Sequence, residues 1–257
     1  MKTDFQGTSI FYDHDKRGTS TLVLLHGFLE DRTIWDALRA DYSGPLSLLS
    51  IDLPGHGESG SLGTLHTMEE MAEVVLHVMK QSETTSAHLL GHSMGGYVCL
   101  AFAEQFPEHC KSLLLLNSSC EADTSERLIN RKRALQVINT NKNSFVSMAI
   151  ANLFSSSARR EFASEIKTLV AKAQKMEVSA IQATIKGMMV RRDRTRVLKE
   201  WKRPKEIICG NEDPIIPFSS SRRMATLTKA SLTILDGSHM SWLERHDEIL
   251  KKIHFIE

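Results

Sequence analysis

The sequence predicts an α/β fold with a mostly parallel central sheet, helices on both faces, and a helical segment inserted between two strands. Three observations point there. Short apolar runs bounded by Gly, Pro, Asn or Asp alternate with longer amphipathic stretches, the pattern of βα units. The alternation stops between Cys120 and Trp201, where long polar helical stretches replace it. The chain has 257 residues, 41% hydrophobic and 25% charged, which suits one domain with a sizeable insertion. The expected division is a core of residues 1–119 and 202–257 with a helical cap over residues 120–201.

Taken in order, strands are expected at Thr21 to Leu25, Leu46 to Ile51, Ala87 to Leu90, Lys111 to Leu116, Glu206 to Cys209 and Ser231 to Leu235, preceded by one at Thr8 to Tyr12. Apolar spacing near 3.6 predicts helices at Met68 to Lys80, Met94 to Phe106, Phe218 to Leu227 and Trp242 to Ile253. Thr67, three residues before Glu70, fits a capping box.

Composition excludes several classes of function. No apolar run approaches the roughly 18 residues that span a bilayer, and the first residues lack the apolar core of a secretory signal, so a cytoplasmic location is expected. The four cysteines form no CxxC pair, which argues for reduced thiols and against a zinc site. Gly55 to Gly60 fits G-x-G-x-x-G, but Pro54 precedes it and no helix opens from it, so no dinucleotide cofactor is expected. His88 and His92 lack a third ligand, and no metal is expected. Net charge is +1, yet Glu121 to Glu200 holds 16 Lys/Arg against 8 Asp/Glu, or +8, leaving −7 elsewhere. The pairs and triplets Arg131-Lys132-Arg133, Arg159-Arg160 and Arg191-Arg192 are either solvated helix faces or an attraction for an acidic carrier protein or carboxylate substrate. No nucleic-acid module accompanies them.

Chemistry concentrates at strand ends. Gly91-His92-Ser93-Met94-Gly95 matches G-x-S-x-G with a strand running in and a helix running out, a turn that lifts a serine hydroxyl above a sheet. Serine needs a base, and the base needs an acid to fix its tautomer. Of eleven histidines, His239 follows the last predicted strand and lies at the same sheet edge as Ser93, whereas His77, His109 and His246 are expected on solvated helix surfaces. His92 sits inside the elbow and points away from the serine. Asp213 follows the preceding strand, giving the order Ser, Asp, His; Asp123 is a rival acid on the same edge, and Asp236 reads as a turn residue. The amides of Met94 and Phe28 are the expected oxyanion donors.

Together His26-Gly27-Phe28, Asp52 to Ser59, Gly91 to Gly95, Gly210 to Asp213 and Gly237 to His239 resemble, in order, the motifs of the α/β hydrolases. The resemblance runs over nearly the whole chain, with residues 120–201 in the place of the variable cap. It implies a cofactor-free acyl-enzyme mechanism, closest to small carboxylesterases, enol-lactone hydrolases and perhydrolases. Epoxide-opening and dehalogenating relatives carry Asp where Ser93 stands. The expected activity is cleavage of a carboxylic ester, lactone or thioester of a small to medium acyl substrate, by a monomer or homodimer. Competing readings are a carrier-protein-dependent esterase that docks through the basic cap, and a ligand receptor that keeps the triad. Phe28, Phe145, Met148, Phe154 and Met188 are candidates to line the substrate pocket; the apolar residues from the inserted segment could instead form its own core.

Overall fold

The structure is a computed structural model and describes residues 1–254 and 256. Its strands are β1 (Lys2–Phe5), β2 (Thr8–Asp15), β3 (Thr21–Leu25), β4 (Ser47–Ile51), β5 (Ala87–His92), β6 (Cys110–Leu116), β7 (Lys205–Gly210) and β8 (Ser231–Leu235). They form one sheet in the order β1-β2-β4-β3-β5-β6-β7-β8. From β4 to β8 every pairing is parallel, while β1–β2 and β2–β4 are antiparallel. The mostly parallel sheet is therefore as expected. Every residue of β3 and β4 is buried, so both faces of the sheet are covered there, as parallel sheets require.

The helices are α1 (Asp36–Asp41), α2 (Met68–Gln81), α3 (Met94–Gln105), α4 (Ser125–Ala151), α5 (Ala158–Glu161), α6 (Ala163–Ala173), α7 (Val178–Met189), α8 (Thr195–Glu200), α9 (Phe218–Thr228), α10 (Ser241–Glu244) and α11 (His246–His254). Helices α2, α3, α8 and α9 pack in succession, and α1 packs with α11. Thr67 and Glu70 close the expected capping box at the start of α2. Helix α3 is buried along nearly its whole length, which holds the residue before it rigidly.

Several elements differ from expectation. The single helix expected over Trp242 to Ile253 is two, broken at Arg245, which leaves the helical region (φ −131°). The first strand runs on to Asp15 and pairs with β1, a strand the apolar pattern does not reveal. The first half of α4 ends in a kink at Asn141 (φ −152°, ψ 73°).

Five helices, α4 to α8, fill the interval between β6 and β7. Ion pairs made by the buried Arg194 anchor that interval to the rest of the fold. Arg194 is 2% exposed and reaches Glu69 on α2 at 2.5 Å and Glu104 on α3 at 2.9 Å. Arg191 is also buried, sits 4.1 Å from the centroid of the Tyr97 ring, and pairs with Asp123 at 2.5 Å. Arg131 takes the other Asp123 oxygen at 2.5 Å. Neither reading of the basic residues, as a solvated helix face or as an attraction for an acidic partner, fits Arg191: local charge counts cannot show a carboxylate 68 residues away. Lys132, Arg133, Arg159, Arg160 and Arg192 are exposed.

Candidate active site

The site forms where β3, β5, β6, β7 and β8 end. At the end of β5 the chain turns sharply into α3, and Ser93 sits between them at φ 49°, ψ −111°, a conformation that costs a non-glycine residue energy and persists only where its surroundings enforce it. The flanking glycines do the enforcing. A Cβ on Gly91 would lie 2.3 Å from the carbonyl carbon of Gly95, and one on Gly95 would lie 2.4 Å from the carbonyl oxygen of Leu25. Strand and helix can approach this closely only without side chains there. The Ser93 amide donates to the Leu116 carbonyl at 2.9 Å, and its own carbonyl accepts from the Ser118 hydroxyl at 2.7 Å.

Three predicted residues come together. His239 Nε2 lies 2.8 Å from Ser93 Oγ, and His239 Nδ1 lies 2.8 Å from Asp213 Oδ2. Asp213 is an acceptor when ionised, so Nδ1 carries the hydrogen and the Nε2 lone pair faces the serine hydroxyl. The other Asp213 oxygen accepts the amides of Ile215 and Ile216, each at 2.8 Å. Burial pushes the Asp213 carboxyl up, but the His239 charge and hydrogen bond, with the Ile216 amide and the Asn117 side chain, outweigh it and hold it below the usual carboxylate range.

Asp123 is elsewhere. Both its oxygens are held by Arg131 and Arg191, and although burial pushes its carboxyl up, these arginines more than offset that and hold its pKa below the usual carboxylate range. Asp236 lies in the turn after β8, where its side chain meets Asn211 and Arg245. His77, His109 and His246 are not free on the surface: they pair with Thr3, with the Thr85 carbonyl and with Asp41. His92 is buried and bonds to Glu30 and to the His239 carbonyl rather than to Ser93.

Met94 opens α3, and the first amides of a helix have no intrahelical acceptor. Phe28 follows Gly27, whose carbonyl lies 2.8 Å from His26 Nδ1. His26 Nε2 accepts the Leu53 amide at 3.0 Å, so Nδ1 is the donor. Because a trans peptide sets its C=O and N–H in opposite directions, this bond aims the Phe28 amide away from His26. Among the described residues no protein group takes up the Phe28 amide.

Of the proposed lining residues, Phe28 is half-buried, while Phe145, Phe154 and Met188 lie in the buried apolar cluster. Met148 is 56% exposed and outside that cluster. The inserted segment does reach the site, since the Leu153 carbonyl accepts the His239 amide at 3.1 Å.

Sequence reasoning missed Asn117, Glu30 and the role of His26. Asn117 is buried at φ 47°, and its amide nitrogen donates to Asp213 Oδ2 at 2.9 Å and to the Ser238 carbonyl at 3.2 Å. Its signal was available: a polar residue directly after an apolar strand at the edge where the acid was sought. Among the described residues no group of three or more His, Cys, Asp or Glu is placed to hold a metal.

The sequence profile described as the alpha/beta hydrolase fold matches residues 20–245. The chain belongs to that family. Among its relatives, the dihydrolipoyllysine-residue acetyltransferase component of the acetoin cleaving system of Pseudomonas putida is 29% identical over 90% of this chain, which spans only 62% of that protein's length. The pimeloyl-[acyl-carrier protein] methyl ester esterase of Citrobacter koseri is 36% identical over 110 residues, 43% of this chain and 41% of that one. In structure, an esterase from Thermogutta terrifontis superimposes with a TM-score of 0.90 at 26% identity, covering 98% of this chain and 94% of that one. The enol-lactonase of Burkholderia xenovorans LB400 gives 0.89 at 21% identity, over 98% of both chains, a likeness of fold alone. No helix among the described residues is long and apolar enough to cross a membrane.

Proposed function

We propose that this alpha/beta hydrolase is a serine esterase that cleaves the carboxylic ester of a small to medium acyl substrate through an acyl-enzyme. The observation that carries the reading is the relay from Asp213 through His239 to Ser93, with both links at 2.8 Å, ending on a serine in a strained elbow. Ser93 Oγ attacks the ester carbonyl while His239 Nε2 takes its proton, and Asp213 stabilises the imidazolium that forms. The Phe28 and Met94 amides donate to the oxygen as it becomes negative, the term that is commonly largest in acyl transfer. His239 returns the proton to the departing alcohol, and a water repeats the sequence to release the acid. The helices between β6 and β7 act as a cap, with Phe28, Phe145, Phe154 and Met188 facing the acyl group and Met148 at its outer margin.

A carrier-linked acyl ester is the second reading. It is favoured by the exposed Lys132, Arg133, Arg159 and Arg160 and by the C. koseri relative, whose name gives an acyl-carrier protein ester as its substrate. A series of p-nitrophenyl esters of increasing chain length tests the first reading. Turnover without any partner, abolished in Ser93→Ala, is expected; no turnover of any ester in the series would contradict it and leave the carrier-linked and receptor alternatives. Ionic strength separates the second, because attraction between cap and carrier is screened over about 8 Å at physiological salt. Salt should depress turnover of an acyl-carrier ester and spare the neutral ester.

A further inference from the structure

A second histidine–carboxylate pair lies beside the relay and takes no part in it. Glu30 and His92 are 5% and 1% exposed, and His92 Nδ1 lies 2.8 Å from Glu30 Oε2. The same Oε2 accepts the Gly27 amide at 2.6 Å, and Oε1 accepts the indole N–H of Trp242 at 3.1 Å. His92 Nε2 lies 2.9 Å from the carbonyl oxygen of His239, which can only accept. Both ring nitrogens of His92 therefore face acceptors, and the ring is an imidazolium against a carboxylate. Burial alone would push both groups toward neutrality; their mutual charge and hydrogen bond outweigh it, raising His92 and lowering Glu30.

The partners matter because of where each comes from. Gly27 precedes Phe28 in the loop after β3, His92 precedes Ser93 at the end of β5, the His239 carbonyl belongs to the turn after β8, and Trp242 belongs to α10, which follows that turn. One buried ion pair thus ties together the backbones that carry the nucleophile, the base and one oxyanion donor. The rings of His92 and His239 are 5.2 Å apart between centroids, so no other side chain intervenes to fix their spacing.

We propose that Glu30 and His92 are positioning residues that hold the Phe28 amide and the His239 ring in register around Ser93. The proposal rests on the serine-esterase reading. A clamp of this kind acts on the transition state more than on the bound ester, since only the developing oxyanion and the transferring proton need that register. A displacement of about 1 Å can cost on the order of 100-fold in rate.

The test uses Glu30→Gln, His92→Gln and His92→Leu in the full chain. Active sites are counted by end-point fluorophosphonate labelling, so kcat is expressed per competent site and unfolded protein drops out. Expected is a fall in kcat of about 100-fold for the two Gln variants with KM within about threefold, because oxyanion stabilisation is lost without loss of ground-state binding. A trifluoromethyl ketone analogue should weaken in proportion to kcat. His92→Leu, which keeps neither donor, should fall below His92→Gln, which keeps one. If kcat per site and analogue affinity match wild type in both Gln variants while only thermal stability drops, the pair is a structural prop and the proposal is overturned alone. If Ser93→Ala retains turnover, the esterase reading fails and takes this proposal with it.

Discussion

Asp123 and Asp213 both carry buried carboxylates, one held by arginines away from the relay and one on His239, so their loss should have opposite consequences. Asp123→Asn leaves Arg191, 2% exposed in its side chain, without its carboxylate, and loosens Arg131, 20% exposed. Removing one partner of a buried pair costs about 3–5 kcal/mol, which at roughly 2–4 °C per kcal/mol for a chain of this size lowers Tm by about 6–20 °C. Arg191 keeps its bonds to the Met188 and Glu121 carbonyls and its place over Tyr97, which favours the lower part of that range. Turnover per competent site should stay within about threefold of wild type, because nothing joins Asp123 to His239. Asp213→Asn should do the reverse, with a loss in kcat of about 10⁴-fold from the wrong His239 tautomer. Differential scanning fluorimetry and ester turnover normalised by fluorophosphonate labelling read both quantities on the same samples. A loss of kcat in Asp123→Asn exceeding that of Asp213→Asn, at unchanged Tm, would refute the assignment.

Three further outcomes follow from single observations. Gly95→Ala would set a methyl 2.4 Å from the Leu25 carbonyl oxygen, so esterase activity should vanish with the fold either lost or displaced at the elbow, as circular dichroism and labelling together would show. Asn117→Gly tolerates the positive φ but deletes the bonds to Asp213 and Ser238; one hydrogen bond to a charged group is worth about 1.5–3 kcal/mol, so kcat should fall roughly 10- to 100-fold with KM little changed in steady-state assays. Burial first, and then Lys111, lower His88 to about 4, so the folded state refuses a proton that the unfolded chain accepts near its ordinary value. Its stabilising contribution is complete above pH about 6.5 and is lost as pH falls toward 4; urea unfolding should show that slope, and His88→Gln should flatten it.

What was legible in the sequence lay in local pattern. Buried parallel strands such as Thr21–Leu25 read as apolar runs, and Ser93, Asp213 and His239 each follow a predicted strand within a few residues, although β8 before His239 is itself largely unburied, so their common sheet edge could be inferred. Strand β1 escaped because its four residues mix Lys, Thr, Asp and Phe at a half-exposed edge; only the Gln6-Gly7 turn, with both φ positive, marks the hairpin. The break at Arg245 escaped because apolar spacing continues through it. Long-range partnerships escaped altogether: Glu30 meets His92 across 62 residues, Asn117 meets Asp213 across 96, and Arg191 meets Asp123 across 68, none of which leaves a periodic trace.

The most direct test of the central claim is the site of covalent labelling. Purified protein treated with a fluorophosphonate should gain one adduct by intact mass, peptide mapping should place it on Ser93, and Ser93→Ala and His239→Gln should gain none over the same interval. An adduct on another residue, or labelling undiminished in Ser93→Ala, would contradict the account of this site as a serine nucleophile activated by His239.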